Sequence, residues 1–359
     1  MSLRDNLLKE VAPSLSVKPS SKISIVGTGE VGMSSAICIL QKSLADELVL
    51  VDKRADKVRG ESMDLLHGSL FLKSKITSDT DCKATQDSKI CIICAGVRMK
   101  DGRPDKNLLQ DNIAVFKEVI PQVAKHSPNA ILLIVTQPVD LLTYVAWKLS
   151  GFPRTRVIGT GTNLDTARFR YLLGAKLKVN PVNVHTYIIG EQGSGSVPVW
   201  SSTNVAGINL NDLVRDISKE HVNEIHKRVI DSGHEVIRLK GSISWAIGLS
   251  VANIVDAILK NLKCIQLVST NAKFSGVPRT LPVFTAGNIL DRCTHGTPTK
   301  PNNYKGEHNI KADVFLSLPC VLGATGVCGI IKQQLEEDEA RKLRSGVENL
   351  LKAQQEIVL

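Results

Sequence analysis

The chain reads as an α/β protein: a doubly wound parallel sheet followed by a second, smaller-sheeted α+β domain. Three observations predict this. Short apolar runs of strand length alternate with amphipathic helical stretches over the first 160 residues. A glycine-rich turn links the first strand to the first helix, and an acidic residue ends the second strand. Beyond Gly161 the pattern changes to longer helices with fewer, later β-runs.

Residues 1–20 read as an arm, in which Ser2 to Val11 forms an amphipathic helix and the Pro- and Ser-rich stretch to Ser21 a linker. Ile23-Ser24-Ile25-Val26 is the first strand, and the turn Gly27-Thr28-Gly29-Glu30-Val31-Gly32 opens a helix running to about Ala45. Leu48 to Val51 is the second strand and ends at Asp52. Strand, G-x-G-x-x-G, helix, second strand and acid stand in the order of a dinucleotide-binding Rossmann unit. Gly27 permits the tight turn, Gly29 lets a pyrophosphate approach the helix-start amides, and Gly32 lets helix and strand pack closely. Asp52 would accept both ribose hydroxyls and repel a 2′-phosphate, which favours NAD over NADP. Lys53 and Arg54 would tolerate extra phosphate charge, and Glu30 sets an anion beside the pyrophosphate, a mildly unfavourable choice.

Ile90 to Ala95 is a strand, Gly96 to Arg103 a polar loop, and Asn107 to His126 a helix interrupted near Pro121. Ala130 to Val135 leads into Thr136-Gln137-Pro138-Val139-Asp140, followed by a helix over Leu141 to Leu149 and a strand at Arg156 to Gly159. Residues 21–160 are thus one domain, with ligands expected at the carboxyl ends of its strands. Residues 161–359 form the second. It holds helical patterns at Asn163 to Leu173, Leu210 to Lys240, Ser244 to Leu262 and Glu336 to Gln355. Its β-runs are Val184 to Ile189, Cys264 to Ser269 and Val314 to Leu318. Residues 274–309, rich in Pro, Gly, Thr and Asn without periodicity, read as a poorly ordered surface insertion.

Composition narrows the function. Apolar residues make up 43% and charged residues 22%, as in an ordinary globular protein. No run approaches the ~20 apolar residues of a membrane helix, and no signal-peptide core follows Met1, so the cytoplasm is the expected compartment. The formal net charge is +10, but the basic residues are dispersed and aromatics are only 4%, too few for base-stacking platforms. Nucleic acid is therefore not an expected partner, and an anionic ligand suits the balance as well. Of eight cysteines only Cys91 and Cys94 make a C-x-x-C, and they lie inside an apolar strand. They read as core thiols, and no metal site is expected.

Several segments resemble the L-lactate dehydrogenase family of the lactate/malate dehydrogenase superfamily. They include Leu44 to Leu48, Met63-Asp64-Leu65 with His67 to Leu72, Leu142 to Lys148, Asn163-Leu164-Asp165 with Ala167 to Tyr171, and Ser244 to Val251. The resemblance runs from about Ser21 to the C-terminus and breaks at the insertion. It implies an NAD-dependent 2-hydroxy acid dehydrogenase acting on small 2-oxo or 2-hydroxy acids and assembling as a homotetramer. In that mechanism a histidine protonates the substrate carbonyl, an aspartate orients it, one arginine clamps the carboxylate and a loop arginine polarises the carbonyl.

Only part of this carries over. Asp165 and Arg168 match the orienting acid and the clamp, and Arg98 matches the loop's first arginine. The family's G-E-H-G is Gly190-Glu191-Gln192-Gly193 here, so the proton donor falls on Gln192. The polarising arginine falls on Asp105, the substrate-selecting position on Met99, an asparagine on Gln137 and a threonine on Ile243. By the same resemblance Val31, Gly96, Asn112 and Gln137 join Gly27, Gly29, Glu30, Gly32 and Asp52 at the cofactor. His234, on a helical stretch, reads first as an ordinary helix histidine and only second as a substitute acid facing the cleft, whereas His185, seven residues before Gln192 along a strand, faces away. The pattern of losses resembles the degenerate lactate-dehydrogenase-like domain of ubiquitin-conjugating-enzyme-variant fusion proteins, which share G-E-Q-G, Q-P, the glycine-loop Glu and the S-L-P-C of Ser317 to Cys320. The leading expectation is an NAD(H)-binding protein with weak or absent 2-oxo acid reduction. Alternatives are a working dehydrogenase of altered specificity and a structural or regulatory subunit whose partner the sequence does not name.

Overall fold

The computed structural model describes residues 21–97, 107–210, 219–273, 310 and 312–359. The expected arm, the loop positions Arg98, Met99 and Asp105, and the insertion at 274–309 lie outside these residues.

Six strands form the parallel half of the main sheet: β1 (Lys22–Val26), β2 (Glu47–Val51), β3 (Lys75–Asp79), β4 (Ile90–Ile93), β5 (Ile131–Ile134) and β6 (Val157–Gly159). Their spatial order is β3-β2-β1-β4-β5-β6, the doubly wound order whose switch point lies between β1 and β4. The helices between them are α1 (Glu30–Gln41), α2 (Ala55–His67), α3 (Leu108–His126) and α4 (Val139–Ser150). Strand alternation divides the core. Ile23, Ile25, Leu48, Leu50, Ile90 and Ile92 pack on the α1 side. Val26, Val49, Val51, Cys91 and Ile93 pack with Phe116 and Ile120 of α3 and Val145 of α4. Because both faces are covered, these strands are near-continuous apolar runs.

The sheet continues without a break into the second half of the chain. The remaining helices are α5 (Asn163–Leu177), α6 (Lys219–Lys240), α7 (Trp245–Leu259) and α8 (Glu337–Gln355). Strands β12 (Ile265–Asn271), β13 (Phe315–Gly323), β8 (Ile188–Gly190) and β9 (Ser196–Pro198) extend the order beyond β6 through antiparallel pairings, and β14 (Gly326–Ile330) pairs with β13. A small sheet holds β7 (Val184–His185), β10 (Asn204–Val205) and β11 (Ile208–Asn209). Helix α7 crosses α1 so closely that a Cβ at Gly248 would stand 2.7 Å from the Ser34 backbone.

Two expectations are corrected. The helix over Asn107 to His126 is not interrupted at Pro121: α3 runs continuously with the proline inside it. Proline removes one backbone donor and crowds the preceding turn, but Phe116, Ile120 and Val123 stay fully buried on either side and hold the helix. The β-run Val184 to Ile189 is not one strand. It breaks after His185 into β7 of the small sheet and β8 of the main one. The face argument for His185 therefore fails, because strand alternation does not run through to Gln192; His185 itself is exposed.

Two glycines set a test of the first turn. A Cβ at Gly32 would lie 2.0 Å from the Gly27 carbonyl oxygen, a backbone atom that cannot yield, whereas one at exposed Gly60 on α2 meets nothing within 4 Å. In thermal or denaturant melts, Gly32→Ala is expected to lose about 1–3 kcal/mol. Gly60→Ala is expected to gain ~0.5–1 kcal/mol, the ordinary helix preference for alanine.

Candidate functional site

The site forms where the carboxyl ends of β1, β2, β4 and β5 meet the turn after β8. Gly27 has φ +100°, and a Cβ there would lie 2.4 Å from the Ala95 backbone nitrogen, so the first turn rests directly on the end of β4. Gly29 caps α1 in an extended conformation, and Glu30 is exposed in its first turn. Val31 is half-buried beside the buried Gly32. The result is a bare backbone cradle at a helix start, the surroundings a pyrophosphate requires.

Asp52, at the end of β2, is buried and heavily bonded. Its Oδ2 accepts from the Thr28 backbone at 2.9 Å and hydroxyl at 3.0 Å. The Arg54 guanidinium reaches both carboxylate oxygens at 3.1 Å. Burial pushes this carboxyl up, but the hydrogen bonds from Arg54 and Thr28 outweigh it and hold it well below the usual carboxylate range.

Gly96 is fitted against Thr136 and Asn112; a Cβ there would come within 2.4 Å of the Thr136 methyl. Asn112, expected at the cofactor, is engaged within the protein. Its side chain is fully buried, accepts from the Val97 backbone at 2.6 Å and donates to the Gln137 carbonyl at 2.9 Å. With its amide bonded to both loops, it ties the β4 and β5 ends together.

Gln137 and Gln192 do meet. The Gln137 Nε2 donates to Gln192 Oε1 at 2.8 Å, while Gln137 Oε1 accepts from the Val139 backbone at 3.1 Å. That second bond satisfies a donor at the start of α4 and so orients the whole pair: two neutral amides, locked without a proton to give. The Gln192 backbone donates to Asp140 Oδ2 at 2.7 Å, and Ser269 Oγ donates to Asp140 Oδ1 at 2.5 Å. Burial pushes the Asp140 carboxyl from 3.8 up to about 7 against these bonds, with Glu191 and Asp165 adding repulsion.

Asp165 and Arg168, one turn apart on α5, form an ion pair at 2.8 Å. The Asp165 Oδ2 is buried without a hydrogen-bond partner. Burial raises this carboxyl, and Arg168, with a weaker contribution from the Gln192 amide, pulls it partly back. Arg168 borders Gly233 of α6, where a Cβ would stand 3.9 Å away. The neighbouring His234 is exposed, and Ile243 is half-buried just before α7.

Sequence reasoning missed His226. Its Nε2 lies 2.9 Å from Ser196 Oγ, and burial, then the Lys342 charge, push the imidazole down to about 4. The pair lines a cleft of about 380 Å³ between the Glu191 turn, α6 and α8. No spacing relates positions 196 and 226, so the pair has no sequence signature. Cys91 and Cys94 are free thiols, each pushed up to about 12 by burial, as core thiols should be. Among the described residues no His, Cys, Asp and Glu group is placed to hold a metal, and no helix is long and apolar enough to cross a membrane.

Comparison with known proteins gives two family matches. Residues 21–159 match the lactate/malate dehydrogenase NAD binding domain, and residues 162–358 match the lactate/malate dehydrogenase alpha/beta C-terminal domain. The chain is 47% identical to the L-lactate dehydrogenase A chain of Gallus gallus, over 99% of both sequences. It is 47% identical, again over 99% of both, to the L-lactate dehydrogenase of Petromyzon marinus. The A chain of Parachaenichthys charcoti is 46% identical over the full length of each.

Asp140 yields a pH prediction. Its folded pKa lies above its unfolded one, so the folded state holds this proton more tightly. The associated stability is present below pH ~4 and is lost as pH rises toward about 7. A shift of that size corresponds to on the order of 4 kcal/mol. Asp140→Asn is therefore expected to flatten the melting temperature profile between these limits; an unchanged slope would assign the pH dependence elsewhere.

Proposed function

The chain belongs to the lactate/malate dehydrogenase family, and from that premise we propose that it binds NAD(H) but reduces 2-oxo acids weakly or not at all. One observation carries this: the Gln137–Gln192 amide pair where the family resemblance calls for a histidine. Residues 21–159 are the family's NAD-binding domain, and the Gly27–Gly32 cradle fits a dinucleotide's pyrophosphate. The cofactor supplies hydride when bound; the protein must supply the proton. Neither glutamine titrates near neutrality, and losing a general acid costs typically ~10²–10⁴ in rate. Asp105 in place of a polarising cation removes a further electrostatic contribution of ~10²–10³ and repels a carboxylate substrate. Arg168, the clamp, is already engaged by Asp165 at 2.8 Å, so a substrate carboxylate competes with a tethered one.

A second reading, a dehydrogenase of changed specificity, is favoured by Asp165. Its Oδ2 is buried without a hydrogen-bond partner beside Arg168 and so faces a ligand inside the site, which the exposed His234 does not. The same glutamine pattern supports kinship with the degenerate domain of the ubiquitin-variant fusions. Free thiols suit a cytoplasmic protein. A homo-oligomer, with the tetramer as the expected form, belongs to the proposal too. Leu70 and Phe71 are about nine-tenths exposed, and Trp245 and Leu249 more than half, a large apolar expense for a lone subunit. Phe71→Asp is expected to shift sedimentation toward smaller species; an unshifted monomer in wild type would end that part.

The deciding experiment is NADH titration by fluorescence, followed by NADH oxidation with pyruvate, oxaloacetate and larger 2-oxo acids. Saturable NADH binding with turnover well below ~1 s⁻¹ is expected. Turnover at ordinary enzyme rates, abolished in Asp165→Asn, would replace the first reading with the second. Gln192→His is expected to raise pyruvate reduction ~10²-fold, with Asp105 still limiting it.

A further inference from the structure

Asp52 has more donors than a ribose-reading carboxylate has room for. Its Oδ1 accepts from the Arg54 backbone and Nε, and its Oδ2 from the Thr28 backbone, the Thr28 hydroxyl and the Arg54 terminal nitrogen, all between 2.9 and 3.1 Å. A carboxylate offers about four lone-pair sites. A ribose diol that donates to Asp52 must therefore displace a bond already made. The charge has changed as well. The Arg54 side chain neutralises Asp52 while staying 58% exposed, and exposed Lys53 adds a further cation beside it.

We propose that Arg54 is a specificity residue at the adenosine end of the cofactor site, and that the chain accepts nicotinamide dinucleotides carrying a 2′-phosphate as well as those with a free ribose. Toward a free ribose, Arg54 stays on Asp52 and gives up only part of its fork. Toward a 2′-phosphate, the half-exposed guanidinium turns to the phosphate, which it bonds bidentately, with Lys53 alongside. The movement leaves no donorless carboxylate, because both Thr28 donors remain on Asp52 Oδ2. Asp52 still repels the phosphate, so selectivity is narrowed and not inverted. The inference rests on cofactor binding at the Gly27–Asp52 unit and deepens that reading.

The test is fluorescence titration of the full-length protein with NADH and with NADPH, in wild type, Arg54→Met and Arg54→Lys. In wild type the two dissociation constants are expected to lie within about tenfold of each other. Arg54→Met removes a charge-assisted bond to the phosphate and should weaken NADPH by ~10–100-fold while leaving NADH equal or tighter. Arg54→Lys should recover part of the NADPH loss. Tight NADH binding with NADPH more than ~10³-fold weaker would overturn the proposal and leave the cofactor reading intact, as would an Arg54→Met variant that shifts both cofactors equally. Binding of neither would overturn both.

Discussion

One buried carboxyl holds the two halves of the site in register. Asp140, near the start of α4, takes a hydrogen bond from Ser269 of β12 and another from the Gln192 backbone in the turn after β8. The three segments come from the parallel half of the sheet, its antiparallel extension and the turn that carries the candidate reaction centre. Burying an unpaired carboxylate costs far more than burying a hydrogen-bonded or protonated one, so neither donor is lost without penalty. The same bond that fixes the turn also fixes where the Gln192 side chain emerges, and Gln137, pinned by the Val139 backbone, meets it there.

This explains how the fold accommodates a glutamine at position 192. The sheet's two cores are set by alternating apolar side chains, and Gln192 is a member of neither. The turn is set by backbone groups and by Asp140, neither of which reads the side chain at 192. A histidine at that place would want Asp165 as its partner. Here Asp165 has turned to Arg168 for one oxygen and left the other unbonded. Stability and chemistry are carried by different atoms, and substitution at the second leaves the first nearly untouched.

The legible parts of the sequence were those where one physical signal dominates. Strands β1, β2, β4 and β5 are buried on both faces and announce themselves as apolar runs. The Gly27–Asp52 unit has spacing, turn chemistry and order in agreement. Helix α2 and strand β3 were not legible as elements: α2 buries only Val58, Ser62 and Leu65, and β3 only Ile76, too few for a periodic pattern. The break after His185 has no local sequence signal; it shows only in the pairing partners, the small sheet for β7 and the main sheet for β8. Among site residues, those of the Gly27–Asp52 motif gather at the strand ends, where their spacing implies. Those made by long-range packing, such as Ser269 on Asp140 or Ser196 on His226, have no local signature.

The two ends of the cleft share one electrostatic design. At the adenosine end Asp52 is paired with Arg54, two residues on; at the substrate end Asp165 is paired with Arg168, three residues on. In each case a residue that would read a ligand through its charge already has a tethered partner of opposite sign. A tethered partner acts at an effective concentration that a dissolved ligand at micromolar to millimolar levels does not match. A ligand gains only the difference between its own bond and the one it replaces. On the proposed reading, that arrangement would lower discrimination at the adenosine end and weaken carboxylate capture at the substrate end, while the glycine cradle works through backbone amides. On the same reading, a pyrophosphate at that cradle would meet backbone amides without displacing either tethered arginine.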